Sequence, residues 1–450
     1  MSLEGKWEEL SWQEKREERF RRWLSPDVKF STSKAEKLYK ERLTRFIKAI
    51  KMEIPDRVPV QIPGGSFPAH YAGTTLRELM YDYDALKQAW LKFIHDFDMD
   101  LYDSAGLIFS GRVYEILDYK LFQWPGHGLP SDVSMHQFVE NEYMKADEYD
   151  AFIKDPLDFL LRYFTPRTWG ALATLSSLPS FDFAFGLPFQ LLSICSNPDF
   201  QPVFKAMREA SQELEKWQAV VGECDWLAKE AGCPSAAGGM ALAPFDTFAD
   251  MFRGTRGIAM DMYRQPEKLL EALEIVTPRS VESAVTAADF AECPMVFIPL
   301  HKGADNFMSS QQYEKFYWPT FRKLLMGIIN EGCVPIMVAD GSYNDRLEII
   351  KDLPRASVIW IFEQTDMAKA KEVLGDTACI GGNVTAAQLY TLTPQAIKEY
   401  CRWLIEVCGE GGGYILTLGS SVDRCNPENL QAVIEAAKEY GVYEISKTSS

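Results

Sequence analysis

In the C-terminal half of this 450-residue chain, residues able to do acid–base or ligand chemistry follow directly on short apolar runs. "MVFIPL" (295–300) is followed by His301, Lys302 and Asp305, and "VPIMVA" (334–339) by Asp340. Glu363 and Asp366 follow "SVIWIF" (357–362), Asn383 lies at the end of "ACIGGNV" (378–384), and Ser420, Ser421, Asp423 and Arg424 follow "YILTLG" (414–419). Apolar, low-dielectric walls raise a carboxyl pKa, and two neighbouring carboxyls push their pKa values apart. Asp340 and Glu363 can therefore act as proton donor and acceptor, or ligate a metal together with His301. The competing role is structural: each carboxylate caps the next helix or pairs with a loop cation, and His301 caps a backbone group. Five histidines (70, 95, 127, 136 and 301) leave few donors for a multi-histidine metal site, and His70, in "GGSFPAHY", is a second candidate for the same pocket.

The elements that must carry these residues alternate. Between the apolar runs lie amphipathic stretches: "SSQQYEKFYWPTFRKLLMGIINEG", opened by Ser309 and Gln312 at capping-box spacing, then "NDRLEIIKDL" and "MAKAKEVLG". A further helix opens at Thr393 and Pro394 and is closed by glycines at 409 and 411–413, and a last one is capped by Asn426 before Pro427. Uninterrupted apolar strands alternating with amphipathic helices predict a parallel sheet covered on both faces. Four such units in about 150 residues favour an α/β fold of the (β/α)8 TIM-barrel type over a doubly wound sheet. In such a barrel the C-terminal strand ends line the active-site face, so the polar groups named above converge. Upstream, "RVPVQIP" (57–63) reads as the first strand and "MDLYDSA" (99–105) as a second short one. Residues 1–52 read as a helical extension, with Ala35, Leu38, Leu43, Phe46, Ile47 and Ile50 near helical spacing, and 53–445 as the barrel. Within it, the aromatic, Pro- and Gly-rich segment 106–200 is expected as a lid or insertion over the mouth.

Composition narrows the function classes. A net charge of -17 argues against a nucleic-acid groove or an anionic membrane as partner. There is no run of 18 apolar residues, and "EGKWEELSWQEKREERFRRW" is too charged for a signal peptide, so a cytoplasmic location is expected. The nine cysteines are scattered without Cys-x-x-Cys spacing, as reduced thiols are; Cys401 and Cys408 extend a helical apolar stripe. No phosphate-binding loop, His-Glu-x-x-His or Gly-x-Ser-x-Gly pattern occurs, and "GEGGGY" closes a helix before a strand, the reverse of the dinucleotide order.

Four stretches, "KERLTRFIKAIKMEIPDRVPV", "QYEKFYWPTFRKLL", "ACIGGNV" and "GGGYILTLGSSVDRCNPENLQAVIEAAKEYG", resemble the uroporphyrinogen decarboxylase superfamily, and within it the corrinoid-dependent methyltransferases. Two departures bear on chemistry. Where the decarboxylases carry an arginine-containing stretch that holds substrate carboxylates, this chain reads "QIPGGSFPAHYAG", with no arginine before Arg77. Where the thiol-activating zinc methyltransferases place His-x-Cys and a later Cys, the matching positions here are Val338, Asp340 and Ser420. The resemblance thus leaves zinc open as a cofactor but without its thiolates, with His301, Asp340 and Glu363 as the remaining metal candidates. It implies methyl transfer, with O-demethylation as the leading form: a methyl group passes from a methoxylated donor, aromatic ethers included, or from another small methyl donor to the cobalt of a corrinoid. No cobalamin-binding Asp-x-His-x-x-Gly stretch is present, so that corrinoid would come on a partner protein. Asp340, Glu363, His301 and Lys302 would then be catalytic, because an alkoxide or phenoxide leaves poorly unless protonated or polarised. The substrate would touch His70, Asp305, Phe307, Tyr343, Asn383, Ser420 and Arg424, with Phe67 and Tyr71 also able to hold an aryl ring. The alternatives are a decarboxylase acting on a tetrapyrrole or other polycarboxylate, with Asp340 or Asp305 protonating a carbanion, and a non-catalytic binding barrel. A homodimer stays open as a further partnership.

Overall fold

The computed structural model describes residues 7–179, 186–236 and 238–443. The first six residues of the expected extension, residues 180–185 of the inserted segment and the last two of the expected barrel lie outside them.

Two helices lead the chain. Helix α1, Trp12–Trp23, starts at a capping box in which Ser11 accepts from the Glu14 N–H and Glu14 accepts in return from the Ser11 N–H. Helix α2, Ser33–Ile50, is capped by Thr32, and its stripe of Leu43, Phe46 and Ile50 is fully buried. That stripe packs with Met295, Val334, Ile359, Cys379 and Ile415, residues at the starts of barrel strands. At roughly 1.5–3 kcal/mol for each fully buried large apolar side chain, this contact seals the N-terminal end of the barrel firmly. Buried Asp100 ties the same corner together, accepting from Arg45, Arg57 and the Val60 N–H.

Segment 57–62 and residues 101 and 102 are held by isolated bridges rather than by full ladders. Pro59 and Pro63 lack the N–H that a continuous ladder needs, so pairing survives only where a neighbour donates, as Leu416 N–H does to the Pro59 carbonyl. The inserted segment carries a small sheet of β1 (Phe122–Pro125), β2 (Gly128–Leu129) and β3 (Gln137–Phe138), with β1 in the middle. The main sheet follows in parallel sequence order: β4 (Gly239–Met240), β5 (Met295–Leu300), β6 (Val334–Ala339), β7 (Ile359–Phe362), β8 (Cys379–Gly382) and β9 (Tyr414–Ile415). Parallel bridges Leu416 to Val60, Gln61 to Leu101, and Tyr102 to Ser235 carry the hydrogen bonding from β9 round to the start of β4. The ring therefore closes on eight segments, a TIM barrel. The expected strand "YILTLG" is shorter than read, at Tyr414–Ile415, and continues only as bridges at Leu416 and Leu418.

Helix starts agree with their sequence signals: Ser309 and Gln312 form the capping box, Thr393 accepts from the Ala396 N–H, and Asn426 caps Pro427–Tyr440. All nine cysteines are free thiols, and Cys401 and Cys408 are fully buried in the helix Pro394–Cys408. Among the described residues, no helix is long and apolar enough to cross a membrane.

Candidate active site at the barrel mouth

Helix α2 packs across the N-terminal strand ends, and His301, Lys302, Asp340 and Glu363 sit at the opposite, C-terminal ends. Asp340 comes one residue after β6 and is half-buried, and no described side chain or backbone N–H donates to its carboxyl. Burial raises its pKa to about 6; Glu363 and Asp250 push in the same direction, while His301 and Lys302 oppose. The turn beyond Asp340 depends on Gly341, whose φ of 77° suits glycine and whose N–H donates to Glu363 Oε2 at 2.8 Å.

His301 and Lys302 are set by two carboxylates that the sequence pattern did not single out. Asp246, fully buried, accepts from the His301 N–H (2.9 Å), the Lys302 N–H (3.2 Å) and the Tyr317 hydroxyl (2.8 Å). Burial, reinforced by Asp250, lifts its pKa to about 7. Asp250 Oδ2 lies 2.6 Å from His301 Nδ1, and its other oxygen 3.5 Å from Lys302 Nζ. That bond raises the His301 pKa, so the imidazole holds its proton to higher pH than a free one. Both carboxylates follow β4, Asp246 ending the turn Pro244–Asp246 and Asp250 on the widened π turn Thr247–Arg253, a type of turn frequent at functional sites. "GGM" is too short and glycine-rich to show strand alternation, which hid "APFDTFADMF" as a strand-end sequence. Asp103 is a third such carboxylate: it accepts from the Gly64 N–H and Gln61, and burial lifts its pKa to about 6.

Several expected substrate contacts serve the scaffold instead. Tyr343 is fully buried, its ring near Trp360, and cannot reach a ligand in the mouth. Phe67 is likewise buried against Phe93 and Phe97. Asn383 is buried and held at both ends of its amide, donating to the Thr365 carbonyl and accepting from Tyr400. Asp305 accepts from Ser342 and the Asp345 N–H, so it shapes the loop after β6. Strand-end position alone could not reveal this, because a polar side chain there satisfies its loop or faces the axis with equal ease. Phe307, partly buried, stays at the rim beside Lys302, whose Nζ is 5.9 Å from its ring centroid.

Across the mouth, His70 and Arg424 do meet. Arg424 Nε donates to His70 Nε2 at 3.3 Å, and its Nη2 donates to the Asp132 carbonyl at 2.7 Å. Ser134 donates to Asp423, which also accepts from Ser66, so the inserted segment is fastened to the loop after β9. Burial, then the Arg424 charge, lowers the His70 pKa, favouring the neutral ring that accepts. Tyr71 donates to Asp96, and Ser420 is half-buried beside this clasp.

The donor set does not suit a metal. Among the described residues, no three His, Cys, Asp or Glu side chains stand together as a metal would require, and Glu363 Oε2 is already taken by the Gly341 N–H. Surface grooves elsewhere, such as one of about 550 Å³ along α2 lined by Lys37, Lys40 and Glu41, hold solvated side chains of one helix and no converging chemistry. As a check on the His301 assignment, Asp250→Asn should lower the His301 pKa, read by NMR titration of the ring protons. An unmoved titration would show that Asp250 does not govern the ring.

A closed α/β barrel with a mouth dominated by carboxylates defines the class. Residues 186–440 match the uroporphyrinogen decarboxylase (URO-D) family, and the chain belongs to it. Among curated relatives, the uroporphyrinogen decarboxylase of Chlorobaculum parvum is 24% identical over 190 residues, 40% of this chain and 51% of that one. That of Chromohalobacter salexigens is 26% identical over 136 residues, 29% of this chain and 38% of its own. The chain thus spans about half the length, or less, of these relatives. A methyltransferase from Methanosarcina mazei has a similar fold, with a TM-score of 0.56 at 17% identity, covering 88% of this chain and 98% of that one.

Proposed function

We propose that this protein demethylates a small methoxylated compound and delivers the methyl group to the cobalt of a corrinoid carried by a separate protein. The observation that carries this reading is Asp340: a half-buried carboxyl with a pKa of about 6, without a donor of its own, beside a His301 whose pKa Asp250 raises. Such a carboxyl can give its proton to an oxygen near neutral pH. As the methyl–oxygen bond breaks, its electron pair stays on the donor oxygen, the Asp340 proton goes to that oxygen, and the free alcohol or phenol leaves. His301 and Lys302 draw electron density from the same oxygen, Asp246 fixes their backbone, and the Glu363 charge, added to burial, helps hold the Asp340 pKa up. The corrinoid, as co-substrate, supplies the nucleophile that receives the methyl group. The mouth is open on the side of His301, which is exposed, so a protein-borne acceptor can approach there.

The charge of the mouth speaks against the decarboxylase alternative. A polycarboxylate needs cations at its carboxylates, whereas here His301 and Lys302 are engaged by Asp250, and Arg424 by His70 and the Asp132 carbonyl. Anaerobic incubation with a reduced corrinoid protein and a panel of methoxyarenes, methanol and methylamines tests the reading. Release of the demethylated product with the accompanying change in corrinoid absorbance supports it; no such change with any donor sinks it.

A further inference from the structure

Below the catalytic rim, two large apolar side chains of neighbouring barrel strands, Met240 and Phe297, stay accessible. Along β5, Val296, Ile298 and Leu300 are fully buried against the surrounding helices, while Phe297 between them is 38% exposed. On β4, a Cβ at Gly239 would strike the Ala284 carbonyl of the helix Pro266–Phe290, so Gly239 faces outward and Met240 faces the axis. Met240 is 58% exposed and pairs in register with Phe297. On β6 the one residue short of full burial is Val338, two positions below Asp340. On β8 the axis position is Gly381, and the space beside it is taken by the Ile361 side chain. Below this level Met295, Ile336 and Ile415 close on α2, so the space is blind at its lower end.

An ordinary eight-stranded barrel fills its axis with side-chain layers, and one that does not has room for a single small ligand. From Phe297 to His301 the strand climbs about 13 Å, at roughly 3.3 Å per residue. A recess of that depth takes one ring standing on end. We infer that Met240 and Phe297 line a slot for one slim apolar group, a single aromatic ring or a body of similar girth, and that these two side chains select ligands by width. The orientation rests on the methyl-transfer reading: the ring descends into the slot, its ether oxygen stays at the height of Asp340, and the methyl group faces the open mouth.

Binding separates the slot from the reaction. Calorimetric titration of the full chain with 2-methoxyphenol should show saturable binding, with 2-methoxynaphthalene weaker. Phe297→Ala should move the preference toward the two-ring ligand by about tenfold, as pocket-size changes of this kind do. Phe297→Asp should weaken 2-methoxyphenol by at least about tenfold, because a carboxylate replaces apolar wall. Met240→Ala, a milder change, serves if Phe297→Asp fails to fold, and should also relax the width selection. Wild-type protein that ignores 2-methoxyphenol, or variants with unchanged preference, overturns the slot. Width-selective binding without demethylation supports the slot and overturns only the reaction; demethylation of methanol without aryl binding does the reverse.

Discussion

Asp340→Asn lowers turnover with a methoxyarene donor by about 10²- to 10⁴-fold, the usual cost of losing a positioned general acid. KM changes little, because Asn keeps the shape of the half-buried side chain and no hydrogen bond to the carboxyl is lost. The pH profile gives the sharper signature. The active form is the protonated acid, and its pKa stands at about 6. Wild-type kcat therefore falls as pH rises through about 6, and the Asn variant lacks that limb. Glu363→Gln removes a like charge that holds the Asp340 pKa up, so the limb should move to lower pH. An Asp340→Asn protein with wild-type kcat, or a limb that Glu363→Gln leaves in place, removes Asp340 from the role of proton donor.

The sequence made the barrel legible where strands were long and apolar. "MVFIPL" and "VPIMVA" match β5 and β6 residue for residue, and the signals at Ser309, Thr393 and Asn426 sit where helices begin. It was faint where proline or glycine interrupts the pairing, at 57–63 and at Gly239–Met240, since alternation needs several consecutive residues. The site divides along the same line. Asp340 and His301 follow long strands and stood out, whereas Asp246 and Asp250, which position His301 and Lys302, follow a two-residue strand and did not. Tyr343, Asn383 and Asp305 also follow long strands, yet they turn into the loops, because each finds a partner or a packing surface there. Chain position brings a residue to the mouth; local hydrogen bonding decides whether it faces the axis.

Asp246 carries the other large expected effect, on stability. Its carboxyl is fully buried, and its pKa rises from 3.8 to about 7. Between those values the folded chain keeps a proton that the unfolded chain releases, so stability is lost as pH climbs through that window. At ~1.4 kcal/mol per unit, the ceiling for this one group is about 4 kcal/mol. Asp340, Asp103 and Asp225, each lifted to about 6 chiefly by burial, act in the same direction. Carboxyls held low by cations, such as Glu18 at about 2 beside Arg21, act oppositely, but below the ordinary Glu value of 4.5 and so outside the range from pH 5 to pH 8. Urea unfolding should thus give a higher free energy at pH 5 than at pH 8. Asp246→Asn should flatten that difference while costing about 1–3 kcal/mol at pH 5, since its amide would turn a second donor toward the Lys302 or the His301 N–H. The same variant loosens the backbone that presents His301 and Lys302, so turnover should fall with it. Stability that rises between pH 5 and 8 in the wild type, or an unchanged pH dependence in the variant, would mean that Asp246 stays ionised, its three donors outweighing burial.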